Sequence, residues 1–191
     1  MRRDDKKGKK LKTFFVMLIL GLSQNTFAQS AGGAGYFGFV YGLSVPDAAN
    51  TIDHKLSGIV GGGKVSDTTS FGGYHLESTT EDGPNGAGFR FGITGLEGRM
   101  NLTTGEKQVY IGIRAGVAKV NTTTNSSAVI FSPYHWGLIG GYSYNIFWIV
   151  NLGIEASYIG FERSRTTSSG ADVELQPFHI INFLGMATVA F

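Results

Sequence analysis

Five charged residues lie in segments that otherwise hold apolar residues, glycine and small polar residues: Arg90, Glu97, Arg99, Arg114 and Glu155. On the strand assignment given below, all five point away from the apolar side of their strands. Oppositely charged side chains that are buried together pair, because an isolated buried charge is costly. The sequence therefore predicts an interior charge network, which serves either as structural packing or as a path for ions or a substrate.

The histidines do not suggest a metal site. No two of them have a ligand spacing such as i, i+2 or i, i+4, and the chain has no cysteine to join them. We therefore expect no bound metal and no cofactor. The four histidines are His54, His75, His135 and His179.

A lipid-hydrolysing membrane enzyme would need a histidine, a serine and a carboxylate that meet at the membrane-facing surface. The nearest candidates are His135, Ser143 and Glu155. All three are predicted to point inward, and Ser143 would lie about 26 Å along the strand from His135. The sequence thus favours a protein that is not an enzyme.

These side chains stand on segments that alternate with a period of two. Between residues 148 and 158, bulky apolar residues take every second position, and small or polar residues lie between them. The same alternation occurs over residues 35–45, 109–118, 134–144 and 181–191, and it is typical of β-strands with one apolar face. Over residues 89–100 we take Phe89, Phe91 and Ile93 as the outward side. The phase then shifts at Gly95, which predicts a β-bulge.

The remaining segments indicate the connections. Residues 46–84 are less regular and predict two weak strands, 52–60 and 64–78, that join near Gly61–Gly63; a long loop with one hairpin fits almost as well. Further short turns are predicted near Thr103 and at Asn145-Ile146. Longer polar connections are predicted over residues 47–51, 79–85, 121–127 and 163–172.

The first 28 residues are typical of a cleavable signal peptide. A basic segment precedes the apolar residues 14–22, and Thr26-Phe27-Ala28 forms a small-x-small cleavage site. Residues 29–191 then form one domain, which retains 9 basic and 12 acidic residues and so has a net charge of −3. This charge, with its scattered basic residues, argues against nucleic acid as a partner.

The apolar strand faces need a cover, which is either a second sheet in a soluble sandwich or the lipid of a membrane. Aromatic residues near both ends of the strands favour lipid, because Trp and Tyr collect at headgroup level. About eight strands with alternating short and long connections predict an all-β fold, an up-and-down antiparallel transmembrane β-barrel. The aromatic residues beside the short turn are Tyr142, Tyr144 and Trp148, and those toward the other end are Tyr134, Trp136 and Tyr158.

The chain resembles the small, eight-stranded outer-membrane β-barrel proteins of Gram-negative bacteria. The resemblance rests on the overall pattern and on the last strand, whose alternating apolar residues close on Phe191. It implies an outer-membrane location, lipid as a partner, and Phe183, Val189 and Phe191 as the signal that the barrel-assembly machinery reads. The Ala28-Gln29 junction resembles signal peptides common in Bacteroidetes. The chain departs from the pattern in its second and third strands, which lack a clear aromatic band, and in Pro177, which falls within the predicted last strand.

Two functions follow from this interpretation. The first is a barrel with a lumen filled by side chains that acts through its external loops in adhesion, surface protection or an envelope complex. The second is a narrow porin-like channel for water, ions or small solutes. A lipid-modifying barrel enzyme is a third, weaker hypothesis.

Overall fold

The computed structural model describes residues 35–47, 54–79, 81–82, 88–103, 105–124, 127–168 and 171–191. The predicted signal peptide lies outside these residues. The described part of the chain forms twelve β-strands: β1 (Gly35–Pro46), β2 (His54–Lys64), β3 (Thr69–Ser78), β4 (Glu81–Asp82), β5 (Gly88–Asn101), β6 (Lys107–Thr124), β7 (Ser127–Phe131), β8 (Tyr134–Phe147), β9 (Val150–Phe161), β10 (Ser164–Ser168), β11 (Ala171–Leu175) and β12 (Phe178–Ala190).

Eight of these strands form a closed antiparallel barrel. Each long strand pairs with the next long strand along the chain, and β12 pairs with β1 to close the circle. Backbone hydrogen bonds between Gly35 and Phe191, of 2.7 and 3.0 Å, hold the two ends of the described chain together. The predicted all-β, up-and-down, eight-stranded barrel is confirmed. Among the described residues, no helix is long and apolar enough to cross a membrane.

The strands form where the sequence alternates, and the alternation separates the outside of the barrel from the inside. Phe39 on β1 and Phe183 on β12 are 56% and 57% exposed on the outer surface, whereas their neighbours Val40 and Leu184 are each 2% exposed in the interior. The connections β2–β3, β5–β6 and β8–β9 are short and share one end of the barrel with Gly35 and Phe191. We call this the short-turn end, and the opposite end the loop end.

The predicted turn at Gly61–Gly63 is wrong in position. These glycines lie within β2, where Gly61 pairs with Gly73 and Gly62 pairs with Gly72 of β3. The chain instead turns at residues 65–68, where the Ser66 hydroxyl oxygen accepts a hydrogen bond of 3.1 Å from the Thr69 amide. A serine hydroxyl that accepts a hydrogen bond from a nearby backbone amide can support a turn that contains no glycine.

The predicted bulge at Gly95 is also wrong. Pairing of β5 with β3 and with β6 continues through Gly95 without a register shift. Phe91 and Ile93 are each 0% exposed and point into the barrel, on the same side as Glu97 and Arg99. The alternation in the sequence changes phase because the inward residues of β5 are apolar near the loop end and charged nearer the middle of the barrel.

Three predicted connections contain more strand than expected. Residues 121–124 continue β6, which forms a hairpin with β7, and the predicted loop at 163–172 holds the β10–β11 hairpin. The tight turn is at Trp148-Ile149 instead of Asn145-Ile146, and an irregular register between Asn145 and Phe147 precedes it. Pro177 lies just before β12, outside the strand.

Candidate functional site

Four of the five predicted charged residues meet in the middle of the barrel. Arg99 lies 2.7 Å from Glu97 and 3.3 Å from Glu155, while Arg114 lies 2.8 Å from Glu97 and 2.6 Å from Glu155. Each cation therefore contacts both anions, and we call this closed set the ion-pair ring. The ring joins β5, β6 and β9 across the lumen, and its four side chains are at most 8% exposed.

Tyrosines complete the bonding of the ring. The Tyr36 hydroxyl donates a hydrogen bond of 2.7 Å to Glu97, and the Tyr110 hydroxyl donates one of 2.9 Å to Glu155. The Arg99 guanidinium lies between these two aromatic rings, 5.2 Å from the centroid of Tyr36 and 4.8 Å from that of Tyr110. Such contacts stabilise a desolvated cation. The strand pattern places both tyrosines on inward positions, but their position alone does not assign them to a charge network.

A glycine makes one of these bonds possible. Gly141 on β8 lies directly between Tyr110 of β6 and Glu155 of β9 in the strand register. A Cβ atom at Gly141 would overlap the Tyr110 hydroxyl. The missing side chain therefore lets tyrosine reach over β8 to the carboxylate.

Arg90 is not part of the ring, which corrects the prediction that placed it in the lumen. It points outward from β5, is about half exposed, and pairs with Glu77 of β3 at a distance of 3.2 Å. The physical reason is the continuous pleat of β5, which puts Arg90 and Phe91 on opposite faces.

An aromatic layer fills the lumen between the ion-pair ring and the loop end. Phe161 and Phe178 stack with centroids 4.3 Å apart and rings 4° from parallel, and Phe91 meets Phe161 edge to face at 6.2 Å. His54, 2% exposed, packs against Phe91 at 5.9 Å. The sequence pattern of β5 did not predict this layer, because an apolar residue on a barrel strand normally indicates the side that faces lipid.

The lumen on the other side of the ring is a polar cavity of about 340 Å³ that opens at the short-turn end. Arg99, Tyr36 and Tyr110 line its inner limit. Side-chain amides line much of its wall: Asn101, Gln108, Asn145 and Asn151.

The histidines occupy separate places. His54 and His135 are buried in the lumen, where the Tyr74 hydroxyl bonds His135 Nε2, whereas His75 and His179 lie on outward-facing positions of β3 and β12. Among the described residues, no group of three or more His, Asp or Glu side chains is placed to hold a metal ion. His135 and Glu155 both point inward, so they do not meet at the membrane-facing surface.

The residues of the predicted assembly signal lie along the end of β12. Phe183 and Val189 point outward and are 57% and 43% exposed. Phe191 follows the strand and bonds Gly35 through its backbone. Recognition of these residues by an assembly machinery stays a prediction.

Comparison with solved structures shows the same fold in several membrane proteins. Neisserial surface protein A matches with a TM-score of 0.69 and 14% identity, over 83% of this chain and 97% of that one. The N-terminal β-barrel domain of Pseudomonas aeruginosa OprF matches with a TM-score of 0.57 and 13% identity, over 84% and 99% of the two chains. The attachment invasion locus protein Ail of Yersinia pestis matches with a TM-score of 0.50 and 11% identity, over 84% and 99%.

Sequence comparison adds nothing to this: no protein-family model and no curated protein matches the chain. The closed up-and-down barrel and its structural neighbours together show that the chain has the fold of the small eight-stranded outer-membrane β-barrel proteins.

Proposed function

We propose that this chain is a non-enzymatic outer-membrane protein with a closed lumen, which acts through the hairpins at its loop end. In barrels of this type the short turns face the periplasm and the longer loops face the outside. The loop end would then be extracellular. The observation that carries the proposal is the pair of successive barriers in the lumen, the ion-pair ring and the aromatic layer.

The two barriers oppose conduction for different reasons. The ring has two anions and two cations in mutual contact, so a passing ion would have to displace bonds of 2.6–3.3 Å. The aromatic layer offers no polar replacement for the hydration shell of an ion, and transfer of a charge into apolar surroundings is costly. Both barriers support a structural role for the buried charges.

The hairpins provide the surface that would meet a partner. The β10–β11 hairpin contacts β7, so the two extensions of the barrel support each other. Glu174 of β11 pairs with Arg165 of β10 at 3.5 Å and with Arg163, just before β10, at 2.8 Å. A braced hairpin loses less conformational entropy on binding than a flexible loop does. This arrangement favours adhesion, surface protection or membership of an envelope complex.

A narrow channel is the second candidate, and the polar cavity favours it. A solute could enter from the short-turn end as far as Arg99. Conduction would then require the ring and the aromatic layer to move aside.

Conductance in planar lipid bilayers distinguishes the two functions. We expect the folded wild-type chain to show no steady openings. A Phe91→Ala/Phe178→Ala variant thins the aromatic layer but keeps the ring, and should also stay closed. Steady wild-type openings that change with Arg114→Ala would contradict the closed-lumen proposal.

The role of the hairpins needs a separate experiment. A photoactivatable crosslinker at Thr167, in the β10–β11 hairpin, is compared in intact envelopes with one at Gln108, at the short-turn end. We expect a defined adduct with an external partner from Thr167 only. Release of fatty acid from lipopolysaccharide by the purified chain would instead indicate an enzyme.

A further inference from the structure

We propose that a hollow on the outer surface of the barrel binds a phosphate group of a lipid headgroup in the surrounding leaflet. The hollow lies toward the loop end of β3, β5 and β6, and Gly92 is at its centre. This inference rests on the membrane location and is independent of what the hairpins bind. We call the hollow the Gly92 cradle, and its polar and charged lining includes His75, Glu77, Arg90, Thr94 and Lys119.

The cradle exists because Gly92 has no side chain. In the strand register, Gly92 lies between Glu77 of β3 and Lys119 of β6. Directly opposite residues share a face, so the two charged side chains flank bare backbone. A Cβ atom at Gly92 would lie 3.7 Å from Glu77 Cγ, an ordinary contact distance. The space is therefore open, and a larger residue could fill it without a clash at its Cβ.

Four polar side chains of the cradle hold one another in position. Glu77 accepts a charged hydrogen bond of 3.2 Å from Arg90 and lies 3.4 Å from His75 Nε2. The other ring nitrogen of His75 is 2.7 Å from the Thr94 hydroxyl. Two of the three fully charged groups of the lining, Arg90 and Lys119, are basic. An oxyanion in the cradle would contact Lys119 and compete with Glu77 for Arg90, so the two cations would be shared between one carboxylate and the bound anion. Cations that donate hydrogen bonds are the groups that bind phosphate.

The position of the cradle favours a lipid over a free anion. Val117 is the last apolar residue on the outward face of β6 before the loop end, and it pairs with the exposed Tyr134 of β8. The next outward residue of β6 is Lys119. Tyrosine is enriched at the depth of the lipid headgroups. Lys119 lies two residues beyond Val117, which is about 7 Å along the strand. Acyl chains along Val117 and Leu96 would thus place an attached headgroup at the cradle.

The cradle has more charged side chains than the opposite side of the barrel. There the outward residues near the loop end include Val45, Tyr158 and Ile181, and His179 is the next outward residue of β12. The cradle instead brings Glu77, Arg90 and Lys119 to one hollow. This concentration of charge around open space favours recognition of an ionic group there.

The test uses the full chain folded in detergent micelles and native mass spectrometry of bound lipid. The probe is diphosphorylated lipid A, and the comparison is the same lipid without its phosphates. We expect preferential binding of the phosphorylated form and about fivefold weaker binding for each of Arg90→Gln and Lys119→Gln. Gly92→Leu, which keeps every charge, should reduce binding to that of the dephosphorylated lipid.

Arg163→Gln is the matched control, because it removes one positive charge from the β10–β11 region, away from the cradle. We expect no change in lipid binding for this variant. An equal loss in Arg163→Gln, or equal binding of both lipid forms, would overturn the proposal. Displacement of the lipid by millimolar inorganic phosphate would assign the cradle to a free anion and would also overturn it. If Gly92→Leu does not fold, the two charge variants still decide the outcome.

Discussion

Removal of one cation from the ion-pair ring should destabilise the barrel more than the loss of any surface charge. Arg114 contacts Glu97 at 2.8 Å and Glu155 at 2.6 Å, and its guanidinium lies 4.7 Å from the centroid of the Tyr74 ring. Arg114→Met keeps most of the side-chain volume but leaves two buried carboxylates with one guanidinium. Breaking a buried ion pair costs about 3–5 kcal/mol, so we expect the free energy of unfolding to fall by about that amount.

A second variant separates charge imbalance from lost packing. Arg114→Met combined with Glu155→Gln returns the cluster to one anion and one cation, and glutamine can still accept the Tyr110 hydrogen bond. We expect this double variant to recover roughly half or more of the lost stability, because it no longer contains a buried charge without a partner of opposite sign.

The measurement is urea unfolding of the chain in lipid vesicles, followed by tryptophan fluorescence and by the heat-dependent gel mobility of folded barrels. Arg90→Met is the control, since it removes the same group from a half-exposed pair, and it should cost less than about 1 kcal/mol. The reasoning is refuted if Arg114→Met and Arg90→Met have equal effects, or if the double variant is as unstable as Arg114→Met.

Three further predictions use the same unfolding measurement. Gly141→Val should abolish the Tyr110–Glu155 hydrogen bond and lower stability by about 1–3 kcal/mol. In a Tyr110→Phe background the same change should cost less but not nothing, because the hydrogen bond is already absent while the new side chain still crowds the aromatic ring and the Ile154 carbonyl oxygen. Phe91→Ala should cost about 3–5 kcal/mol, because Phe91 is fully buried in the aromatic layer; a cost below about 1 kcal/mol would mean that the layer is not tightly packed. Ile113→Lys places a charge at the middle of the outward band of β6, where Ile113 is 64% exposed, and should cost about 2–4 kcal/mol in lipid, with Ile113→Leu nearly neutral. Equal stability of Ile113→Lys would argue against lipid contact at this surface.

Much of the architecture could be predicted from local pattern. Alternation with a period of two identifies strands because successive side chains of a strand point to opposite faces, wherever the strand lies. The outward side of β1, from Phe37 to Val45, is correct for this reason. Four charged members of the site could be found in the same way, since Glu97, Arg99, Arg114 and Glu155 stand on positions that alternate with apolar residues.

Local pattern failed where the two faces of a strand resemble each other. At the loop end of β5 the inward residues are the apolar Phe91 and Ile93, so the polarity of the side chains predicts the wrong face and assigns Arg90 to the lumen. Likewise, the glycines at 61–63 suggested a turn, although they pair with the glycines of β3 inside the barrel wall. In both cases the deciding partner is on another strand.

The fold class could be predicted from local features of the chain: alternating strands, apolar on one side, with polar connections and no cysteine. These features depend on near neighbours in the chain, and a single strand is enough to express them. The site depends instead on how the strands are arranged in the closed barrel. Arg99 and Glu155 are 56 residues apart in the chain and meet because closure of the barrel brings β5 and β9 to opposite sides of one narrow lumen. The same closure turns Phe91 inward and Arg90 outward, since the register of all eight strands fixes one common interior.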